Sequence, residues 1–218
     1  MKAVFVDYTG TIISEAGKDG EEFVYRVCKN SDIGDPQEFL DYWWKSIKEY
    51  EKSSYGSTYI TEDQIVDEIL ERLVNDHNLK ENLAELHALC QGFWVNAPFF
   101  EDVKPFFETC PYDIYVISNN STKYIEEAMS INGLAPKGIV TADLVKAYKP
   151  HAELFEKALE ISGCEPEEAV HLGDSIASDV EGANAAGIKA ILIDRSGKYD
   201  GTDILTARSL PDALDLIG

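Results

Sequence analysis

The sequence predicts an α/β fold in which a parallel β-sheet carries helices on both faces. Short apolar runs rich in β-branched residues end at polar residues or at glycine, and they lie at residues 3–6, 112–117 and 188–193. A shorter run lies at residues 169–172. From about residue 100 onward, helical patterns separate these runs, and this alternation is typical of a parallel sheet. In such a sheet, ligands bind at the carboxyl ends of the strands.

The segment that follows the first strand shows helical patterns and no convincing strand pattern. Asp35 followed by Pro36 is typical of a helix start, with an N-cap residue and then proline at the first helical position. The apolar stripe behind it consists of Phe39, Leu40, Trp43, Trp44, Ile47 and Tyr50. Residues 61–64 have the form of a capping box and predict a second helix. A further helix is predicted over residues 83–94.

These patterns divide the chain of 218 residues into two parts. We expect a core formed by residues 1–14 and 99–218, and an all-helical insertion formed by residues 15–98. The length allows one sizeable hydrophobic core together with such an insertion. The sequence contains no internal repeat and no low-complexity segment.

Composition excludes several classes of function. The formal net charge is −21 and the pI is near 4.4, whereas a nucleic-acid-binding protein needs a basic patch to displace counterions. The apolar stretches are far shorter than the roughly 20 residues that span a bilayer. The amino terminus enters a strand and shows no signal-peptide pattern. We therefore expect a soluble cytoplasmic protein, monomeric or homodimeric, with no nucleic-acid or membrane partner.

The cysteines and histidines show no metal-binding pattern. Scattered spacing of the four cysteines argues against a zinc site and against a disulfide framework. These cysteines are Cys28, Cys90, Cys110 and Cys164. The four histidines also lack ligand spacing. We expect His171 to be a core residue of the strand that precedes Gly173.

Four short motifs carry the residues suited to catalysis. Asp7 directly follows the first strand, so its carboxylate is presented at a strand end, and Gly10 lets the chain turn away. In chain order the motifs are Asp7–Thr11, Val116–Asn119, Lys149-Pro150 and Gly173–Asp179. Together they resemble the four-motif signature of the haloacid dehalogenase superfamily of phosphatases and phosphotransferases.

The resemblance covers residues 1–14 and about 98–195, and the ordered set of four motifs is highly specific. It implies a Rossmann-like parallel sheet as the catalytic core. It also implies that the helical insertion is the cap domain that many members of this family carry after their first motif.

The resemblance implies that Asp7 is a nucleophile. Its carboxylate is suited to attack phosphorus and form a phosphoaspartate, which splits one difficult displacement into two steps. Carboxylate and phosphate repel each other, and Mg²⁺, which takes carboxylates and phosphate oxygens as ligands, would offset the repulsion. Asp174 follows another strand and can supply the second carboxylate. By resemblance, the backbone carbonyl of Thr9 is a further ligand.

Asp179 has two interpretations. Residues 178–181 have the form of a capping box, which favours a role at a helix start. The family resemblance instead favours a place beside the metal, where Asp179 is either an indirect ligand or an orienting partner for Lys149.

A second group of residues is suited to bind the phosphoryl group. Ser118 and Asn119 end a strand just before Ser121, a candidate helix N-cap, and a hydroxyl with free backbone N–H groups there suits phosphoryl oxygens. Lys149 is suited to neutralise charge on the phosphoryl group and on the nucleophile. The resemblance adds Thr11 to the phosphate-binding residues.

Thr9 departs from the commonest family pattern, in which a second aspartate lies two residues after the nucleophile. That aspartate protonates the leaving oxygen and later activates water, and threonine does neither well. Such acid–base help is worth about 10²–10⁴ in rate. We therefore expect a preference for good leaving groups and a long-lived phosphoaspartate, as in the P-type ATPases, whose phosphorylation motif has the same form. The sequence leaves the source of the general acid and base open.

The favoured interpretation is a Mg²⁺-dependent phosphatase that acts on a small phosphorylated metabolite. Two other interpretations stay open: a phosphonatase-like or dehalogenase-like hydrolase of C–P or C–halogen bonds, and a non-catalytic module that binds phosphate or a partner. Phosphonate-cleaving relatives use a cap lysine, and the sequence singles out none of the candidates. These are Lys18, Lys29, Lys45, Lys48 and Lys52.

Overall fold

The centre of the structure is one parallel β-sheet, in a computed structural model that describes residues 1–217. Its six strands are β1 (Ala3–Val6), β2 (Asp113–Ser118), β3 (Gly138–Thr141), β4 (Ala169–Gly173), β5 (Lys189–Ile193) and β6 (Thr206–Ala207). They lie in the order β3-β2-β1-β4-β5-β6, and every neighbouring pair is parallel. The predicted α/β fold class is therefore confirmed.

The register of the central strands brings three strand ends together. Val6, the last residue of β1, pairs with Val116 of β2 on one side and with Leu172 of β4 on the other. The next residue, Asp7, donates its backbone N–H to the carbonyl of Leu172 at 2.9 Å. Residues that follow β1, β2 and β4 therefore emerge side by side at the carboxyl edge of the sheet.

Both faces of the sheet are covered by helices, so the central strand β1 is apolar throughout and its neighbours β2 and β4 are mostly apolar. Successive residues of β1 point to opposite faces: Val4 and Val6 belong to one buried cluster and Phe5 to another. The covering helices are α5 (Val103–Thr109), α6 (Thr122–Ile131), α7 (Ala142–Val145), α8 (Ala152–Ser162), α9 (Gly182–Ala185) and α10 (Leu210–Leu214).

Four longer helices lie between β1 and β2. They are α1 (Lys18–Asn30), α2 (Pro36–Ser53), α3 (Glu62–His77) and α4 (Leu83–Asn96). Both predicted helix starts are present: Asp35 accepts a hydrogen bond from the backbone N–H of Glu38 at 2.9 Å, and Thr61 and Gln64 form a reciprocal capping box.

These four helices share an apolar cluster that is distinct from the two clusters of the sheet, and the core contributes Tyr124, Ala142 and Tyr148 to it. Its buried members include Phe23, Phe39, Trp43, Ile65, Ile69, Leu73 and Leu86. We therefore propose that residues 15–98 form a helical cap over the core. None of the helices in the described chain combines the length and apolar composition that a membrane span requires.

Candidate active site

A cavity of about 1130 Å³ lies between the carboxyl edge of the sheet and the helical cap. Its core side is lined by residues from all four sequence motifs: Asp7, Thr9, Ser118, Asn119, Lys149, Asp174 and Asp179. Its cap side is mixed but rich in aromatic residues, which include Phe23, Phe39, Trp43, Trp44, Phe93 and Trp94. The structure thus gathers most of the predicted site residues in one place, as expected for the carboxyl edge of a parallel sheet.

Three carboxylates converge at the base of this cavity. One oxygen each from Asp7, Asp174 and Asp179 lies within 4.8 Å of the others. Two glycines permit this approach, because a Cβ at Gly10 would overlap the Asp174 carboxylate and a Cβ at Gly173 would overlap that of Asp179. Gly10 also adopts a φ of +87°, in the region that favours glycine.

Lys149 joins two of these carboxylates. Its Nζ donates to Oδ1 of Asp7 and to Oδ1 of Asp179, each at 2.5 Å, and it is only 4% exposed. Burial lowers the pKa of Lys149, but the carboxylates of Asp179 and Asp7 outweigh that effect and keep it above its ordinary value. The amine therefore stays charged, and it is fixed against the candidate nucleophile.

One lysine does not neutralise three carboxylates. Burial raises the pKa of Asp7 to about 7, although Lys149 opposes the shift. Burial, followed by repulsion from Asp7, raises the pKa of Asp174 to about 8. A divalent cation would relieve this repulsion, and an all-oxygen donor set suits a hard ion such as Mg²⁺. The residues present therefore fit the ion that the family resemblance implies.

Asp179 is anchored from three sides. Its Oδ1 accepts hydrogen bonds from Lys149 and, at 2.9 Å, from Nε2 of His171, while Oδ2 accepts one from the backbone N–H of Ser175 at 3.0 Å. Burial raises the pKa of Asp179, but Lys149 and His171 outweigh it and bring the pKa below its ordinary range. Asp179 therefore remains ionised and is fully engaged by its neighbours.

His171 is the buried strand residue that the sequence predicts, but it also supports the site. It is fully buried in β4, and burial lowers its pKa. The neutral ring then carries its hydrogen on Nε2, which donates to Asp179. Within residues 1–217, Nδ1 has no hydrogen-bond partner.

The capping-box prediction for residues 178–181 is wrong. These residues lie inside a π-helical turn, Ile176–Glu181, that continues into α9. The residue that caps the turn is Ser175, whose hydroxyl accepts a hydrogen bond from the backbone N–H of Ser178 at 3.2 Å. The wide turn directs Asp179 back toward the sheet, and π-helical turns often occur at functional sites.

Asn120 organises the two hydroxyls predicted for the site. Its Oδ1 accepts hydrogen bonds from Oγ1 of Thr9 at 2.8 Å and from Oγ of Ser118 at 2.9 Å. Its Nδ2 donates to Oε1 of Glu62 at 2.5 Å, and Oε2 of Glu62 accepts the backbone N–H of Ser121 at 2.9 Å. The backbone N–H of Ser121 is therefore not free for a phosphoryl oxygen, because the cap glutamate accepts it. Ser121 also makes no side-chain capping bond.

Asn119 is likewise engaged at both ends of its amide. Oδ1 accepts the backbone N–H of Lys149 at 2.6 Å, and Nδ2 donates to Oε1 of Glu51 at 2.9 Å. Thr11 is fully buried and is not among the residues that line the cavity. Its hydroxyl has no partner within residues 1–217. The structure therefore brings Asn119 to the cavity and does not bring Thr11 there.

Sequence reasoning missed Asn120, Glu51 and Glu62. Asn120 follows Asn119 in the same loop, and this position at a strand end was a usable signal. The two glutamates lie 68 and 58 residues before their partners in that loop. No short motif links residues so far apart, so only the packing of the cap on the core reveals them.

Comparisons with known proteins agree with this geometry. The family model described as haloacid dehalogenase-like hydrolase matches residues 1–187. A phospholysine phosphohistidine inorganic pyrophosphate phosphatase from Xenopus laevis is 46% identical over 94 residues, which is 40% of this chain and 34% of that protein. The chain spans about a third of the length of the curated relatives it matches.

Solved structures match the chain over its whole length. A HAD phosphatase from Thermococcus onnurineus has a TM-score of 0.73 at 24% identity, and the match covers 100% of this chain and 98% of that one. An L-2-haloacid dehalogenase from Xanthobacter autotrophicus has a TM-score of 0.77 at 17% identity, with the same coverage. At these identities the likeness shows the fold alone. The family-model match, which spans most of the chain, shows that it belongs to the haloacid dehalogenase-like hydrolases.

Proposed function

We propose that this chain is a Mg²⁺-dependent phosphatase that hydrolyses a small phosphorylated metabolite through a phosphoaspartate on Asp7. The observation that carries the proposal is the buried arrangement of Lys149 between Asp7 and Asp179, with Asp174 beside them. A nucleophile, a fixed cation and a pair of metal-binding carboxylates are the parts that phosphoryl transfer requires. The phosphatase name of the Xenopus relative supports the same reaction class.

Asp7, Asp174 and the backbone carbonyl of Thr9 would hold the ion, with Asp179 beside it. When bound, Mg²⁺ would offset the repulsion between the phosphate and the carboxylates. Lys149 would neutralise charge on the transferring phosphoryl group, since it is already charged and lines the cavity. Ser118 would donate its hydroxyl to a phosphoryl oxygen once it leaves Asn120.

The aromatic cap side of the cavity favours a substrate with an apolar or aromatic portion next to its phosphate. Phosphonatase-like chemistry has less support. Of the candidate cap lysines, Lys29 and Lys48 line the cavity, and both are exposed. An amine that forms a Schiff base is normally desolvated.

A metabolite phosphatase screen with and without Mg²⁺ tests this proposal. We expect phosphate release from a subset of phosphomonoesters, strictly dependent on Mg²⁺, and loss of that release in Asp7→Asn at an unchanged melting temperature. The covalent mechanism fails if the variant retains more than about a tenth of the activity, because a lost nucleophile normally costs far more. Full activity in EDTA would instead favour the dehalogenase-like reaction, and a haloacid assay would then decide.

A further inference from the structure

A phosphatase with threonine at position 9 needs another general acid. This inference rests on the proposed function and concerns the residue that completes it. The Thr9 hydroxyl already donates to Asn120, and its high pKa makes it a poor acid and base. The three core carboxylates that line the cavity belong to the cation cluster. The remaining carboxyl groups that line it come from the cap: Glu15, Glu21, Glu51 and Glu62.

Three of these four cap glutamates are unsuited to proton transfer. Both oxygens of Glu62 accept hydrogen bonds, from Asn120 and from the backbone of Ser121, so it serves as a structural link. Glu15 and Glu21 are exposed on the cap, so packing does not fix their carboxylates, although burial raises the pKa of Glu15. Glu51 differs from them because it is partly buried and one of its oxygens is fixed.

Glu51 is tied to the nucleophile through a short chain of contacts. It lies near the carboxyl end of α2, and its Oε1 accepts a hydrogen bond from Nδ2 of Asn119 at 2.9 Å. The same Asn119 accepts the backbone N–H of Lys149 at 2.6 Å, and Nζ of Lys149 contacts Asp7. Within residues 1–217, Oε2 of Glu51 has no hydrogen-bond partner. One oxygen therefore positions the side chain, and the other is available to carry a proton.

We propose that Glu51 is the general acid and general base of the reaction, supplied by the cap in place of the acid missing at position 9. In the first step a carboxylate oxygen of Asp7 bonds to phosphorus as the bond from phosphorus to the leaving oxygen breaks. Protonated Glu51 gives its proton to that oxygen, so the leaving group departs as an alcohol. In the second step water attacks the phosphoaspartate, and the Glu51 carboxylate takes its proton. Inorganic phosphate leaves, and Asp7 and protonated Glu51 are restored.

The surroundings of Glu51 suit both roles. Burial raises its pKa to about 7, although the hydrogen bond from Asn119 and the charges of Lys149 and Lys48 oppose the shift. Asp7 raises it further, and Glu62 also faces it. An acid–base group transfers protons most effectively when its pKa is near the working pH. At neutral pH both protonation states of Glu51 are then populated.

The test compares Glu51→Gln with Glu21→Gln, which removes an exposed carboxylate from the same cavity. The substrates are 4-nitrophenyl phosphate, phenyl phosphate and an alkyl phosphate, and the readout is the rate of leaving-group release in the first turnover. We expect Glu51→Gln to slow release by about 10²–10³ for the alkyl ester and by under about tenfold for the nitrophenyl ester. Glu21→Gln should behave as the wild type does.

Two further readouts separate a catalytic role from a structural one. For the alkyl ester, the wild-type rate should fall as pH rises above about 7, where Glu51 loses its proton, and this limb should vanish in Glu51→Gln. Thr9→Asp alone should leave the dependence of the rate on the leaving group almost unchanged. In the double variant, Thr9→Asp should flatten the steep dependence that Glu51→Gln produces. If Glu51→Gln does not fold, Thr9→Asp alone still tests the role, because a marked flattening in that variant would show that no other residue had supplied the acid.

The outcomes distinguish this inference from the proposed function. An unchanged dependence on leaving group and an unchanged pH profile in a folded Glu51→Gln protein would overturn the role of Glu51, whereas the phosphatase mechanism would survive. Absence of any phosphate release by the wild type, or release that survives Asp7→Asn, would overturn the proposed function itself.

Discussion

Lys149 and Asp7 are 142 residues apart in the chain, yet Nζ of one and Oδ1 of the other form a buried ion pair at 2.5 Å. Asp179 shares the same amine. Because a buried charge without a partner is costly, the amine and both carboxylates depend on one another. The stability of the core and the chemistry of the site are therefore linked.

Lys149→Met should both inactivate and destabilise the protein. It leaves two buried carboxylates without their cation, and breaking a buried pair in this way costs about 3–5 kcal/mol. Urea unfolding measures the loss. Lys2→Met, which removes an exposed pair with Glu168, is the matched control and should cost under about 1 kcal/mol. Equal losses of unfolding free energy in the two variants would contradict the buried position of Lys149 and its contact with both carboxylates.

Mg²⁺ should stabilise the folded protein through Asp174. An ion that binds only the folded state adds about 2.7 kcal/mol at a concentration one hundred times its Kd, so the melting temperature should rise on titration with Mg²⁺. Asp174→Ala should abolish the rise, and Glu21→Ala, at the exposed rim of the cavity, should keep it. EDTA should stop turnover and Mg²⁺ should restore it, with Ca²⁺ a poor substitute because it relaxes the octahedral geometry. A full thermal shift in Asp174→Ala would argue against this site.

Glu62→Ala should loosen the loop that follows Ser118. The substitution leaves the Asn120 amide and the Ser121 N–H without their shared acceptor. A buried group left unpaired costs about 1–3 kcal/mol. Chemical denaturation should detect the loss, and kcat should fall because Asn120 no longer fixes the Thr9 and Ser118 hydroxyls. The control is Glu68→Ala, on the exposed side of α3, which should change neither quantity.

The contact between the cap helices α3 and α4 should weaken as pH rises. Burial lowers the pKa of His87, but hydrogen bonds to Asp67 and Asp63 outweigh it and raise the pKa above 6.5. Asp63 also binds Lys123 and Tyr124 of α6. A raised folded-state pKa means that the contribution of His87 is complete below about pH 6.5 and is lost as pH rises through the folded-state value. The free energy of unfolding, measured across this range, should lose that slope in His87→Gln; an unchanged slope would exclude His87 as its source.

Sequence patterns predict the interior strands better than the edge strands. The interior strands are mostly apolar runs because helices cover both faces of the sheet, and the sequence pattern predicts all four of them. These strands are β1, β2, β4 and β5. The two strands that the pattern misses, β3 and β6, are the edges of the sheet. They contain four and two residues, and a short edge strand leaves little hydrophobic pattern. Helix α1 has no side-chain cap at Gly17, so it also lacked a start signal.

The residues of the candidate site also differ in how well the sequence predicts them. Asp7 and Asp174 belong to local motifs at strand ends, and Lys149 belongs to the Lys149-Pro150 motif that precedes α8, so the sequence alone indicates all three. Glu51 and Glu62 reach the site only because two cap helices pack on the loop after β2. Such positions depend on tertiary packing across long separations, which short sequence patterns do not encode.

The most direct test of the covalent mechanism is to locate the phosphoryl group during turnover. The enzyme is mixed with Mg²⁺ and 4-nitrophenyl phosphate, quenched in acid, reduced with borohydride to convert phosphoaspartate to homoserine, and digested for mass spectrometry. We expect homoserine at position 7 in the wild type and none in Asp7→Asn or in samples without substrate. Steady turnover without modification of Asp7 at any quench time, or modification of another residue, would contradict the role of Asp7 as the nucleophile.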